Sequence, residues 1–163
     1  DVRSHVPPRL DIMIALHACD TATDFALHTG VRAKAAVIVA SPCCHKQLRP
    51  QMALPPLLKP LLQHGIHLGQ QAEMVTDGLR ALLLEAEGYE AQVFEFVALE
   101  HTSKNKMILA ARRPGARDGA PEGQRRQLAQ RRERLLAEVA QLKDFYGVKE
   151  QALEALLRAD APA

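Results

Sequence analysis

The chain has 163 residues, 47% of them apolar and 25% charged, the balance of a globular domain long enough to bury a core. Its formal net charge of +2 excludes a strongly polyanion-seeking or strongly acidic protein, so any such preference must come from where the charges lie. No apolar run reaches the roughly 18 residues of a membrane span and no charged-then-apolar opening marks a secretory signal; with only three cysteines, two of them adjacent, the expectation is a reduced, cytoplasmic compartment and no membrane.

Residues 1–9 include Pro7-Pro8 and read as a loop. The chain opens on Asp1, and its first clear element already ends in chemistry, so the expectation is a segment of something longer. Residues 10–16 are a nearly continuous apolar run, which predicts a strand buried on both faces. A helix then opens near Asp20, where Thr21 and Asp24 have capping-box spacing, and closes near Gly30 as its C-terminal cap. Residues 35–40 form the next strand. Strand, helix and strand make a βαβ unit, hence a parallel pair with a right-handed crossover.

Prolines 50, 55, 56 and 60 break residues 46–69 into one or two short helices. Residues 70–87 make a longer helix, with Val75, Leu79, Leu82 and Leu83 on one face and Gly88 at its end. Residues 91–99 and 106–112 read as strands, and the short polar loop between them requires an antiparallel pair. The Gly- and Pro-rich residues 114–123 read as a linker, followed by a long helix over 124–145 and a short one over 149–159.

Two apolar strands thus end in clusters of His, Cys and Asp: His17-Ala18-Cys19-Asp20, and Pro42-Cys43-Cys44-His45. Neighbouring carboxyl ends of strands are where α/β sheets bind ligands. Asp20 can orient or deprotonate a hydroxyl or amine, and His17 can serve as a base near neutral pH. The structural alternative is that Asp20 caps the helix and His17 bonds backbone. A zinc site from Cys19, Cys43, Cys44 and a histidine conflicts with the usual two-to-four-residue ligand spacing, so the expectation is no metal. The cysteines also read as small buried hydrophobes, or as a nucleophile beside His17 or His45, although no oxyanion hole is legible. His64 and His67 read as surface residues.

The stretches Leu16-His17-Ala18-Cys19-Asp20-Thr21-Ala22-Thr23-Asp24, Pro42-Cys43-Cys44-His45 and His101-Thr102-Ser103-Lys104-Asn105, with the closing helix and antiparallel hairpin, resemble class I S-adenosylmethionine-dependent methyltransferases of a group with LHACDTATD, PCCH and HTxKN motifs. The similarity spans roughly residues 8–112, more loosely 142–147, and extends distantly to tRNA 2′-O-methyltransferases with a Cys-Cys-His-His element. It implies an α/β fold: the second half of a Rossmann-like methyltransferase sheet (parallel βαβ plus antiparallel terminal hairpin) over residues 1–113, linker 114–123, and a C-terminal helical extension over 124–163. It implies S-adenosylmethionine as cofactor, touched by Leu16, His17 and Ala18, with His17 and Asp20 catalytic. Cys43, Cys44, His45, His101 and Asn105 would face the substrate; for His101 and Asn105 the alternative is service to the turn's own backbone. The Gly-rich turn and acidic strand end that open this fold have no counterpart here, since Gly65-Ile66-His67-Leu68-Gly69 comes too late. The resemblance therefore implies a missing N-terminal half of the domain, supplied upstream or by a partner chain.

From Arg112 to Arg134 the sequence holds eight arginines against three acids, a density that suits phosphates and suggests RNA as partner through Arg125, Arg126, Arg131 and Arg132. No aromatics interleave them, and the alternative is a solvated amphipathic helix. Two functions follow: methyl transfer, RNA being the acceptor, or a catalytically silent binding and assembly module using the Arg-rich helix.

Overall fold

The apolar runs assemble into one four-stranded sheet. In a computed structural model, which describes residues 7–96, 105–116 and 118–160, the strands are β1 (Ile12–Leu16), β2 (Val37–Ser41), β3 (Tyr89–Glu95) and β4 (Lys106–Arg112), in the order β1-β2-β4-β3. β1 and β2 are parallel, joined through α1 (Thr21–Arg32), while β4 runs antiparallel to both β2 and β3. This mixed α/β arrangement is compatible with a Rossmann-like fold. The short α2 (Lys59–Leu62) and the long α3 (Gly65–Ala86) connect β2 to β3, and α4 (Glu122–Tyr146) and α5 (Ala152–Ala159) follow the sheet. No helix among the described residues is long and apolar enough to cross a membrane.

Strand alternation sorts the sheet into two unlike faces. Ile38, Ala40, Ile108 and Ala110 are fully buried under the helices, together with Leu27 of α1 and Leu79, Leu83 and Leu84 of α3. On the other face the register aligns Ile12 with Val37 and Ala111, and Ile14 with Val39 and Leu109. That face is open: Ile12, Ile14 and Leu16 are 57–60% exposed. The run over residues 10–16 therefore alternates, against the expectation of a strand buried on both faces, because among the described residues helices pack on one face only. Among the described residues β1 is also an edge strand, paired with β2 alone.

Two local expectations around α1 are corrected. Gly30 is not a cap; it lies inside the helix and lets it approach the sheet. A Cβ there would meet Ile38 Cδ1 at 2.8 Å and Met13 Cβ at 3.2 Å. The chain reverses instead after Ala33, at Lys34 with φ 53°. Asp24 does not close a capping box: it is buried and turned toward α3, where Arg80 supplies a cation that outweighs any bond to a helix-end N–H. The C-terminal helices share the same core, through Val139, Tyr146 and Leu153. Gly147, at φ 66°, ends α4 in the left-handed conformation and packs against Ala53, which a Cβ would meet at 2.8 Å.

Candidate active site

Parallel pairing sets the carboxyl ends of β1 and β2 side by side, Leu16 opposite Ser41. Because β4 is antiparallel, Asn105 just before it comes to the same end of the sheet, and the Ser41 hydroxyl reaches the Lys106 carbonyl at 3.4 Å. His17, Asp20, Cys43, Cys44 and Asn105 are thus gathered at one end by the topology. His101 lies outside the described residues.

The β1–α1 turn is bracketed by two residues with positive φ, His17 at 55° and Asp20 at 54°. Non-glycine residues hold such angles at a cost of about 1–3 kcal/mol each, and only where surrounding bonds enforce them. Here the His17 N–H donates to the Ser41 carbonyl at 3.2 Å, and the Thr23 hydroxyl bonds the Ala18 carbonyl. Leu16 and the His17 side chain are exposed, and Ala18 is half-buried. Asp20 precedes α1 but makes no side-chain cap. Its Oδ1 accepts the Gln47 N–H at 3.0 Å, and its carbonyl accepts from Arg80 Nη2 at 2.9 Å. Among the described residues Oδ2 has no hydrogen-bond partner, so one carboxylate oxygen is fixed and the other is available.

Beneath the turn lies a buried polar network. Arg80, 1% exposed, grips Asp24 with two nitrogens, at 3.0 and 2.6 Å, and reaches Asp77 Oδ1 at 3.2 Å. Burial pulls the Arg80 guanidinium down, but the bonds and charge of Asp24, then Asp77, outweigh it and hold it above its ordinary value. Gln151 donates to Asp24 at 2.7 Å, and His45 Nε2 meets Asp77 Oδ1 at 3.2 Å. His45 is accordingly buried, its Nε2 turned toward α3. Asp77, Arg80 and Gln47 were not singled out from sequence, and Asp24 was read only as a helix cap. Asp77 and Arg80, three apart within the apolar stripe of α3, were the available signal: charges on a buried helix face need partners.

The three cysteines converge. Cys19 Sγ lies 3.2 Å from Cys43 Sγ, which lies 3.7 Å from Cys44 Sγ. The Cys43 thiol is pushed up to about 12 by its bond with Cys19, by burial, and by Cys44. Asn105 is buried, and its backbone carbonyl accepts from Phe96 at 2.8 Å. A groove of about 540 Å³ lies at the opposite ends of the strands, between Asp11, Lys34, Arg112 and Asp118, where the Lys34–Asp118 ion pair at 2.8 Å crosses it. It is remote from these side chains.

A family model described as a methyltransferase domain matches residues 1–51, which include β1, α1, β2 and the Cys43-Cys44-His45 turn. The match supports a methyltransferase domain. It covers 51 of the 163 residues, and it ends within the loop that Gln47 and Gln51 tie to the α4–α5 connection. No curated protein and no solved structure matches the chain.

Of the four arginines singled out on α4, Arg131 pairs with Glu85 and Arg132 with Glu87, both acids on or just after α3. Arg125 and Arg126 are exposed, and among the described residues they form no ion pair.

Proposed function

We propose that this chain supplies the acceptor-side half of an S-adenosylmethionine-dependent methyl-transfer site that acts on RNA. The carrying observation is that the segment matched to a methyltransferase domain coincides with the β1–α1–β2 unit whose carboxyl ends hold His17, Asp20 and Cys43. The fit to the cofactor is one-sided: the exposed Leu16 side chain and the bend through His17 and Ala18 offer a wall for an apolar and cationic ligand, while the Asp20 carboxylate is left to the acceptor. The open sheet face and unpaired β1 edge favour a second half that completes the pocket, upstream or on a partner.

When bound, S-adenosylmethionine supplies a methyl group on a positively charged sulfur. The chain's part is placement. Gln47 holds one oxygen of Asp20, leaving the other to orient an acceptor hydroxyl or amine, whose proton passes to His17 as base. Much of the rate in such a transfer comes from holding donor and acceptor in line, which a strained, bonded turn does better than a loose one. Arg125 and Arg126 would meet phosphates away from the reacting atoms.

The test is calorimetry on this chain joined to its native upstream sequence. S-adenosylmethionine should bind, and Asp20→Asn should lower turnover about 100-fold or more while leaving that binding nearly intact. Absence of cofactor binding overturns the enzymatic reading. RNA affinity that barely changes between low and moderate salt overturns the phosphate contacts. A second reading, an assembly module without catalysis, is favoured by the pairing of Arg131 and Arg132 with α3, which makes α4 a strap; the same calorimetry separates the two.

A further inference from the structure

The expectation of no metal rested on separation along the chain. Cys43 and Cys44 are adjacent rather than two to four residues apart, and the sequence offers no second cysteine pair. Separation in space is different. The parallel β1–β2 pair delivers the turn after β1 beside the turn after β2, and the three sulfurs lie within 4.8 Å of one another. A tetrahedral thiolate centre with metal–sulfur bonds of about 2.3 Å sets its sulfurs about 3.8 Å apart. Cys43 and Cys44, at 3.7 Å, already have that separation; Cys19 and Cys43, at 3.2 Å, would move apart by about half an ångström.

The surroundings hold the sulfurs in place. Cys19 sits between the two positive-φ residues His17 and Asp20, whose backbone is bonded to Ser41 and Arg80. Cys43 and Cys44 follow buried Pro42, and the loop beyond is fixed by Gln47 to Asp20. Cys19 is exposed and the other two are half-buried, so an ion can reach them from solvent.

We propose that Cys19, Cys43 and Cys44 form a three-thiolate site for a thiophilic divalent cation, zinc(II) in class, with an outward fourth position for water or an exogenous ligand. Each thiol gives its proton to solvent, and a sulfur lone pair forms the metal bond; no group is oxidised or reduced. A disulfide would use two of the three sulfurs and require an oxidant, whereas a cation uses all three. The site shares its two turns with the methyl-transfer reading but does not rest on it, and its test needs no cofactor.

The full chain, reduced, metal-free and kept anaerobic, is titrated with cobalt(II) alone. The expected result is a thiolate-to-cobalt charge-transfer band that saturates near one equivalent and is bleached by zinc(II). Cys43→Ser should abolish the band, and Cys19→Ser or Cys44→Ser should weaken cobalt binding about tenfold or more, with far-UV circular dichroism unchanged. Zinc should also slow alkylation of all three thiols. No band while three thiols remain titratable overturns the site, as does binding that survives Cys43→Ser or alkylation at the metal-free rate in excess zinc. If Cys43→Ser fails to fold, the alkylation comparison on the unmodified chain decides alone.

Discussion

Arg80 shows how much one side chain can hold. It is a cation 1% exposed, placed between Asp24 of α1, Asp77 of its own helix and the Asp20 carbonyl of the candidate site. Buried ion pairs add little relative to apolar replacements, but breaking one strands its partners. Arg80→Met leaves two carboxylates buried without a cation and should cost about 3–5 kcal/mol in urea unfolding. A loss under about 1 kcal/mol would mean that the two carboxylates need no cation there. The sequence carried only the Asp77–Arg80 spacing as a signal of this, and Asp24 had a sufficient local explanation three residues from Thr21. Residue spacing describes neighbours in one helix; the partner that won is 56 residues away. The cysteines illustrate the same limit, since chain separation argued against a cluster that strand pairing creates.

At the scale of elements, types were legible and the packing between them was not. Short apolar runs and helical spacing located all four strands and the long helices to within a few residues, because both are set by local geometry. What α1 needs in order to lie on the sheet was not visible: Gly30 looked like a terminus and is a contact. Gly30→Ala gains up to about 1 kcal/mol in helix propensity. It also places a Cβ 2.8 Å from Ile38 Cδ1 and 3.2 Å from Met13 Cβ, so it should destabilise by about 1–3 kcal/mol overall. Ile38→Ala removes the two side-chain atoms nearest that Cβ, at 2.8 and 2.9 Å, at a cost of about 2–5 kcal/mol. The double variant should therefore lose less than the sum of the two, and additive losses in a double-mutant cycle would refute the contact. Gln51 makes a comparable junction elsewhere. Its Oε1 accepts the N–H groups of Lys149 and Glu150, at 3.0 and 2.9 Å, and its Nε2 donates to the Gln47 and Glu150 carbonyls. Gln51→Ala should speed amide exchange at Lys149 and Glu150 about tenfold while core strand amides keep their protection. Uniform acceleration throughout the chain would instead report a global loss of stability.

For the whole molecule the asymmetry of the sheet is the governing fact. An apolar run records what a strand face favours, not what covers it, so the sequence of β1 predicted burial that only one side receives. The resemblance to a methyltransferase implies a larger sheet around the same strand. Two substitutions of like chemistry measure the asymmetry directly. Ile38→Glu puts a charge where the side chain is 1% exposed and should cost at least about 3 kcal/mol, enough to unfold a marginal domain. Ile14→Glu lies on a parallel strand but on the open face, at 60% exposure, where the charge keeps most of its water. It should cost under about 1 kcal/mol in the chain alone, and it should lower the binding of a hydrophobic dye by interrupting the row Ile14, Val39 and Leu109. The same change in the chain joined to its native upstream sequence should become as costly as a core substitution if the second half of the domain lies on that face. Equal, small losses in both contexts would leave the face open and remove its support for a two-part site.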